Sequence, residues 1–179
     1  MKIIVVISGF TQKKFQNTGS RQLWRKLCIE RNMCGCSNTF VDFREWNSDW
    51  SSYARFLNSM NPSDVLICCY SWGAGHGMPQ LAKHLKCNVE VVACDPVYRS
   101  PTPFGRWMAF CDHQIKLPKN VSVVGWVGQV DRWYKLDGDT FTGGRSICKQ
   151  EVLDYSHTEI DNSPEYHKLA ALKAKEYFY

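Results

Sequence analysis

Apolar and amphipathic stretches alternate along the chain, and this alternation predicts repeated β–α units around one sheet. Residues 2–7 and 65–70 form nearly continuous apolar runs, which are typical of strands buried on both faces of a parallel sheet. Further strands are predicted at residues 39–43, 89–93 and 121–127, and a short sixth at 151–155. The pattern therefore predicts the α/β class with a mostly parallel central sheet.

Two helices are predicted in the first third of the chain from apolar residues that recur at helical spacing. The first has Ser20 as its N-cap, and its inward face is formed by Leu23, Trp24, Leu27 and Cys28. The second ends at the Asn61-Pro62 pair, and its inward face is formed by Trp50, Tyr53, Ala54 and Leu57.

Two more helices are predicted in the remainder of the chain. One follows a glycine-rich turn after residue 70, is kinked or restarted by Pro79, and ends near Lys86. The other has Ser163 as its N-cap and Pro164 at its first helical position. Its inward face is formed by Tyr166, Leu169 and Ala170.

The length of 179 residues predicts a single domain that spans residues 1–179. A hydrophobic content of 44% is enough for a buried core and excludes the disordered and fibrous classes. No apolar run approaches the roughly 18 residues of a membrane helix, and the run at the start is too short for a signal peptide. We therefore expect no membrane span and no export.

Charge and cysteine content limit the partners further. The net charge of +5 comes from Lys and Arg scattered along the chain rather than gathered in one stripe, so we expect no nucleic-acid partner. Nine cysteines without a secretory start favour reduced thiols inside a cell, and we expect a cytoplasmic protein. No cysteine spacing, that of Cys34-Gly-Cys36 included, repeats the C-x₂-C of a zinc site, so no metal site is predicted.

The stretch Cys69-Tyr70-Ser71-Trp72-Gly73 directly follows the central strand and carries the candidate chemistry. A serine nucleophile needs a sharp strand-to-helix turn that leaves its hydroxyl exposed above the sheet edge. Such a turn brings the residues two before and two after the serine into contact, and both Cys69 and Gly73 are small. The same turn directs the N–H of Trp72 and the start of the next helix at the oxygen of a reacting carbonyl.

With this order of strand, serine, glycine and helix, the chain resembles the α/β-hydrolase family in its smallest, capless form. The resemblance extends over nearly the full length through the order of the strands, and its specific motif is the stretch 69–73. It implies a three-layer α/β/α sandwich with a nucleophile at Ser71 and an oxyanion donor in the N–H of Trp72. It also implies a second donor after the first strand, where Phe10 is our choice and Thr11 the next.

The resemblance implies an acid and then a histidine farther along the chain, each at the end of a strand. Asp95 follows the fourth strand and precedes Pro96, which ends the strand and biases Asp95 to an extended backbone. Asp131 follows the next strand, the more usual place for the family's acid, but lies beside Arg132 as in a surface ion pair. We favour Asp95 and keep Asp131 as the alternative. The histidine is His157, in the loop before the terminal helix.

These residues predict a serine hydrolase that cleaves small carboxylic esters or thioesters through an acyl-enzyme on Ser71 and needs no cofactor. An apolar acyl cleft is expected to be lined by aromatic residues, namely Phe10, Trp72, Phe104 and Trp107. Thr11 and His76 are further candidates for substrate contact. Two alternatives remain open, which are an acyltransferase that uses the same serine and a non-catalytic binding protein of this fold.

Overall fold

The computed structural model describes residues 1–10, 12, 17–98, 113–130 and 139–179. In these residues the strands are β1 Lys2–Ile7, β2 Thr39–Arg44, β3 Asp64–Tyr70, β4 Asn88–Cys94, β5 Gln114–Leu117, β6 Val121–Gln129, β7 Thr140–Gly143, β8 Ser146–Ile147 and β9 Glu151–Leu153. The α-helices are α1 Gly19–Met33, α2 Trp50–Ser59, α3 Met78–Ala82 and α4 Pro164–Phe178. A π-helical turn, Gly73–Gly77, precedes α3, and a 3₁₀ turn, Ile160–Asn162, precedes α4.

Seven strands form a central sheet in the order β2-β1-β3-β4-β6-β8, with β9 also paired to β6. All of these pairs are parallel. β8 pairs near the start of β6 and β9 near its end, while β5 and β7 form a separate two-stranded parallel sheet. Because parallel strands point the same way, the carboxyl ends of β1, β3, β4 and β9 lie at one edge of the central sheet.

Alternate residues of the central strands enter two cores, one on each face of the sheet. Ile3, Val5 and Ile7 of β1 pack with residues of α2 and α3. Ile4 and Val6 pack with residues of α1 and α4. All of these β1 side chains are fully buried, which explains why the strand has a continuous apolar sequence. The predicted α/β class, with a mostly parallel central sheet and flanking helices, is confirmed.

The predicted inward faces of the helices are confirmed for the residues that carry most of their burial. In α2 the buried residues are Trp50, Tyr53, Ala54 and Leu57. In α1, Leu23 and Leu27 are buried, and Trp24 and Cys28 pack partly buried against the same core. Helix α4 has the predicted cap at Ser163 and Pro164 in its first turn. It buries Tyr166 and Ala170 and leaves Leu169 partly buried.

The predicted start of α1 is wrong. The N-cap is Thr18, whose hydroxyl accepts a hydrogen bond from the N–H of Arg21 at 3.4 Å. Ser20 lies inside the first turn and is fully buried. Its backbone N–H donates to the carboxylate of Asp161, so the helix start is held from the far end of the chain by a contact that no local pattern reveals.

The predicted end of α3 is also wrong, since the helix stops at Ala82 instead of near Lys86. The N–H groups of His84 and Leu85 bond to carbonyls three residues earlier, at 3.0 and 3.2 Å, which is the tighter 3₁₀ pattern.

The longest helices of the described residues, α1 and α4, have 15 residues each. Within that part of the chain, none has the length and apolar content needed to cross a bilayer.

Three strands have no counterpart in the sequence pattern, namely β5, β7 and β8. β5 and β7 have four residues each and β8 has two, and such short segments show no distinct periodicity. The longer strands agree with the prediction to within two residues, as in β6, which is Val121–Gln129 against the predicted 121–127.

Tyr166 of α4 is a buried polar residue in the core beneath β3 and β4. It is fully buried, and among the described residues its hydroxyl has no hydrogen-bond partner. Burial raises the pKa of Tyr166 well above its usual value, so the hydroxyl stays neutral. An unpaired buried hydroxyl lowers the stability of the fold.

We expect Tyr166→Phe to raise the free energy of unfolding by about 1 kcal/mol, because it removes the unpaired hydroxyl and keeps the ring. The matched control is Tyr53→Phe, which removes a hydroxyl that donates to Asp42 Oδ2 at 2.8 Å. That change should lower the free energy of unfolding by about 1 kcal/mol. Urea unfolding measures both, and a Tyr166→Phe protein as destabilised as the control would contradict the prediction.

Candidate active site

Ser71 sits at a sharp turn directly after β3. Its φ is +53°, in the left-handed region that a residue with a side chain seldom adopts. Its N–H donates to the carbonyl of Cys94 at 3.1 Å. Its own carbonyl accepts from the N–H groups of Ala74, Gly75 and Val97 at 3.0, 2.9 and 3.2 Å. Four backbone hydrogen bonds therefore hold Ser71 in a strained conformation, which is a frequent property of functional positions.

The turn needs a glycine two residues after Ser71. A Cβ atom on Gly73 would lie 2.4 Å from the carbonyl oxygen of Ser8 and 2.8 Å from that of Ile7. Cys69, two residues before Ser71, is fully buried in β3, with its Sγ 3.8 Å from the carbonyl of Val92. Burial raises the pKa of the Cys69 thiol well above its usual value, so this cysteine is a neutral core residue.

The helix after Ser71 has two parts, and the sequence predicts a kink or restart there. Its first turn, Gly73–Gly77, is π-helical and begins directly after Trp72. The α-helical geometry starts at Met78, with Pro79 in the first turn, where its missing N–H costs little. The N–H groups of Ala74 and Gly75 in this first turn donate to the carbonyl of Ser71 and are therefore already engaged.

His157 lies against Ser71. Its Nε2 is 2.9 Å from Ser71 Oγ, and its Nδ1 is 2.5 Å from Asp95 Oδ2. The imidazole also stacks on the ring of Tyr70, with centroids 5.2 Å apart and 29° between the planes. The Tyr70 hydroxyl donates to the backbone carbonyl of His157. Burial raises the pKa of Tyr70 well above its usual value, so this hydroxyl remains a donor.

Asp95 is fully buried directly after β4. Its N–H donates to the carbonyl of Val127 at 2.8 Å, and its Oδ2 accepts from Gln129 Nε2 at 2.8 Å as well as facing His157. The predicted extended backbone is wrong, since its φ is +41°. Aspartate tolerates the left-handed region better than most residues, and the carboxylate contacts to Gln129 and His157 hold it there.

The hydroxyl of Ser71 is less accessible than the sequence predicts. Ser71 is 4% exposed, and the side chain of His157 above it is 13% exposed. The imidazole covers Oγ from one side, and Gly9 lies on another, where a Cβ atom would come within 3.0 Å of Ser71 Cβ. The expectation of an exposed hydroxyl is therefore wrong.

The loop after β1 lies beside Ser71, and glycine is required there. A Cβ on Gly9 would lie 2.7 Å from the ring of Tyr70. Just before it, Ser8 is fully buried, and its hydroxyl donates to Glu45 Oε2 at 2.7 Å. The backbone of Gly9 is thus held directly against the candidate nucleophile.

Aromatic side chains form a cluster at this end of the sheet. The rings of Phe10 and Trp72 are 4.2 Å apart between centroids, so the two residues predicted as oxyanion donors are neighbours. Trp46, after β2, contacts both rings at 5.8 and 4.9 Å, and His76 lies 6.2 Å from Trp46. Phe10 is 50% exposed, whereas Trp46 is buried. The cluster therefore offers one open aromatic surface beside Ser71.

The remaining predicted residues divide into two groups. His76 lines an open pocket of about 380 Å³ with Tyr98, Gln114 and Lys116, and Ser71 is not among its described lining residues. Four predicted residues lie outside the described residues: Thr11, Phe104, Trp107 and the alternative acid Asp131.

Sequence reasoning misses three residues that support this site, namely Tyr70, Gln129 and Trp46. Tyr70 has the apolar neighbours of a strand residue, and Gln129 and Trp46 follow or end strands without any motif. Asp139, which follows Gly138 in the sequence, is also buried. Its carboxylate accepts from the N–H groups of Tyr98 and His113, which ties the chain after Asp95 to β5 and β7.

The arrangement can carry out proton transfer from a hydroxyl. With Nδ1–H donated to Asp95, the lone pair of His157 Nε2 faces Ser71 Oγ, which is the geometry of a hydroxyl next to a general base.

Among the described residues, no group of three or more His, Cys, Asp or Glu side chains is placed to hold a metal ion. In comparisons with family models, curated proteins and solved structures, nothing matches this chain.

Proposed function

We propose that this chain is a serine hydrolase of carboxylic esters or thioesters with a minimal α/β-hydrolase-like fold. The single observation that carries the proposal is the continuous line of contacts from Ser71 Oγ through both ring nitrogens of His157 to Asp95 Oδ2. The strained φ of Ser71 supports it, since the backbone holds the hydroxyl at the point that the imidazole reaches.

The first half of the reaction would form an acyl-enzyme. Ser71 Oγ attacks the carbonyl carbon of the ester while its proton passes to His157 Nε2. Asp95 holds the ring in the tautomer that leaves Nε2 as the base and stabilises the imidazolium that results. When the tetrahedral intermediate collapses, the alcohol or thiol leaves with the proton from Nε2, and the acyl group remains on Oγ.

The second half would return the enzyme to its starting state. A water molecule gives one proton to His157 Nε2 and attacks the acyl carbonyl. When the second intermediate collapses, Ser71 Oγ leaves with that proton from Nε2, and a carboxylic acid is released. In both halves the oxygen of the carbonyl becomes negative. The N–H groups of Trp72 and Phe10 are our candidates to stabilise it, because Trp72 directly follows Ser71 in the chain and the Phe10 ring packs on the Trp72 ring.

The aromatic cluster suggests where the acyl group would lie. The half-exposed ring of Phe10 is an apolar surface packed on Trp72, the residue that directly follows Ser71. Each methylene that leaves water on such a surface contributes about 0.8 kcal/mol. We infer an acyl ester or thioester with a short apolar chain as the substrate class.

The first test asks whether Ser71 is the nucleophile. We expect a fluorophosphonate probe to label the wild-type protein and to leave Ser71→Ala unlabelled, because the probe reacts only with an activated hydroxyl. Ser51→Ala, on the exposed side of α2, is the matched control and should label like wild type. Intact-mass spectrometry measures the adduct.

Two outcomes would count against this assignment. Labelling that survives in Ser71→Ala would refute Ser71 as the nucleophile. A wild-type protein that takes no label would favour a non-catalytic binding protein of the same fold, and the low exposure of Ser71 makes this a demanding test.

A second prediction distinguishes the two candidate acids. Asp95→Asn should lower kcat for an activated ester by about 10³–10⁴-fold, because the amide no longer holds the correct tautomer of His157. Asp131→Asn should leave kcat within about threefold of wild type, the range of an uninvolved charge. Steady-state kinetics of both variants decide the matter, and the reverse pattern would identify Asp131 as the acid.

A third prediction concerns the acyl group. For p-nitrophenyl esters, kcat/KM should rise from acetate to hexanoate in wild type, and Phe10→Ala should flatten this rise while its backbone N–H remains. An unchanged slope in Phe10→Ala would place the acyl chain elsewhere.

The same esters distinguish a hydrolase from an acyltransferase. When an alcohol is added to the reaction, formation of a new ester in place of the free acid would identify this protein as an acyltransferase.

A further inference from the structure

A buried carboxylate next to the candidate site has no part in the mechanism above. Asp161 lies in the 3₁₀ turn that follows His157 and is 1% exposed. Its Oδ2 accepts a hydrogen bond from Gln12 Nε2 at 2.5 Å and another from the N–H of Ser20 at 3.2 Å. Because a charged group is costly to bury, its presence here calls for a physical reason.

The partner of Asp161 belongs to the loop on the opposite side of Ser71. Gln12 is 8% exposed, and its Oε1 accepts a hydrogen bond from the N–H of Gly9 at 3.1 Å. A single amide side chain therefore uses its oxygen to hold the loop that carries Phe10 and its NH₂ group to hold the loop that carries His157. An amide supplies both an acceptor and donors, which neither a carboxylate nor an ammonium group does.

The charge on Asp161 does not favour the folded state. Burial raises the pKa of Asp161, although hydrogen bonds from Gln12 and backbone N–H groups act in the other direction. Stability is therefore lost as the pH rises from the unfolded-state pKa through the folded-state pKa, and the ionised form reduces it at neutral pH. The titratable residues that interact electrostatically with this carboxylate are His157, Tyr70, Cys94 and Tyr166. His167 Nε2 lies 2.9 Å from the backbone carbonyl of Asp161.

We propose that Gln12 and Asp161 are positioning residues. They fix the loop after β1, which carries Phe10, and the loop before α4, which carries His157, in one relative arrangement around Ser71. We call their contact the Gln12–Asp161 bridge. This inference rests on the proposed function, since it concerns the oxyanion donor and the base of that reaction. Both groups must be in place at the same moment, and a displacement of about 1 Å in such a site costs about 100-fold in rate.

The experiment compares wild type with Gln12→Leu, Asp161→Asn and a control, Gln22→Leu, in the full chain. Leucine at position 12 keeps the size of the side chain and removes both hydrogen bonds. Asparagine at position 161 keeps an acceptor oxygen and removes the charge. Gln22, on α1, contacts only the backbone of Asn17 by its side-chain amide among the described residues, and its replacement should leave activity unchanged.

Kinetics with p-nitrophenyl acetate provide the first measurement, because its acetyl group is too short to depend on the Phe10 ring. Gln12→Leu should lower kcat by about 10–100-fold with KM changed less than about threefold, since the loss falls on the displaced oxyanion donor. Affinity for a trifluoromethyl ketone, which binds as an oxyanion adduct of the serine, should fall by the same factor as kcat. Asp161→Asn should lower kcat by about 3–10-fold, because a neutral amide oxygen accepts the bonds from Gln12 and Ser20 more weakly than a carboxylate does.

Urea unfolding provides a second measurement, and the result that we expect from it differs from the result expected for a purely structural role. At neutral pH Asp161→Asn should unfold at the same or a higher urea concentration than wild type, and the difference should vanish toward pH 4. A variant that is slower and yet no less stable supports the bridge. An Asp161→Asn protein that is less stable at neutral pH, or as active as wild type, overturns it, and this holds even where Gln12→Leu fails to fold.

The two proposals can fail separately. If wild type neither hydrolyses the ester nor takes a fluorophosphonate label, the proposed function fails and the bridge falls with it. If wild type is active and Gln12→Leu retains kcat within twofold, only the bridge is overturned. A rise in KM at constant kcat also overturns the bridge, because it indicates a role in substrate binding.

Discussion

The conformation of Ser71 is the constraint on which the candidate site depends. Its left-handed backbone directs the side chain away from the axis of β3, toward the ring of His157. This conformation is unfavourable for a serine, and neighbouring backbone groups maintain it. Cys94 at the end of β4 accepts from its N–H, and Val97 after β4 donates to its carbonyl. The turn at Ser71 and the strand that precedes Asp95 are thus one hydrogen-bonded unit.

The parallel sheet explains why the other groups arrive at the same place. β1, β3 and β4 are neighbours, and each ends at the same edge, so Phe10, Ser71 and Asp95 follow three adjacent strands. The histidine does not share this arrangement directly, because β9 pairs only with the end of β6. Its loop depends instead on side-chain contacts, with Tyr70 on one side and Asp161 on the other.

The sequence predicts those parts of the molecule that local patterns encode. Strands such as β1 and β3 are buried on both faces and therefore have continuous apolar sequences, and α2 has a clear inward face. The positions of Ser71, Asp95 and His157 relative to strand ends are also local information. Pro96 after Asp95, and Arg132 beside the alternative Asp131, favour Asp95, whose Oδ2 lies 2.5 Å from His157 Nδ1.

The rest depends on contacts between residues far apart in the chain. Gln12 and Asp161 are 149 positions apart, and nothing near either residue indicates the other. Nothing in the sequence around Asp139 indicates the backbone N–H groups from which its carboxylate accepts, which are those of Tyr98 and His113. Short strands such as β8 exist only because β6 offers an edge to pair with. Such features become visible only in three dimensions.

The separate anchoring of His157 has a consequence for local unfolding. Ser71 and Asp95 directly follow β3 and β4, which are paired strands of the central sheet, whereas His157 lies in the loop before the 3₁₀ turn and α4. An opening of that loop alone would separate the imidazole from Ser71 Oγ and leave β3 and β4 paired. The contact between Ser71 and His157 can therefore be lost at a lower free-energy cost than the sheet itself.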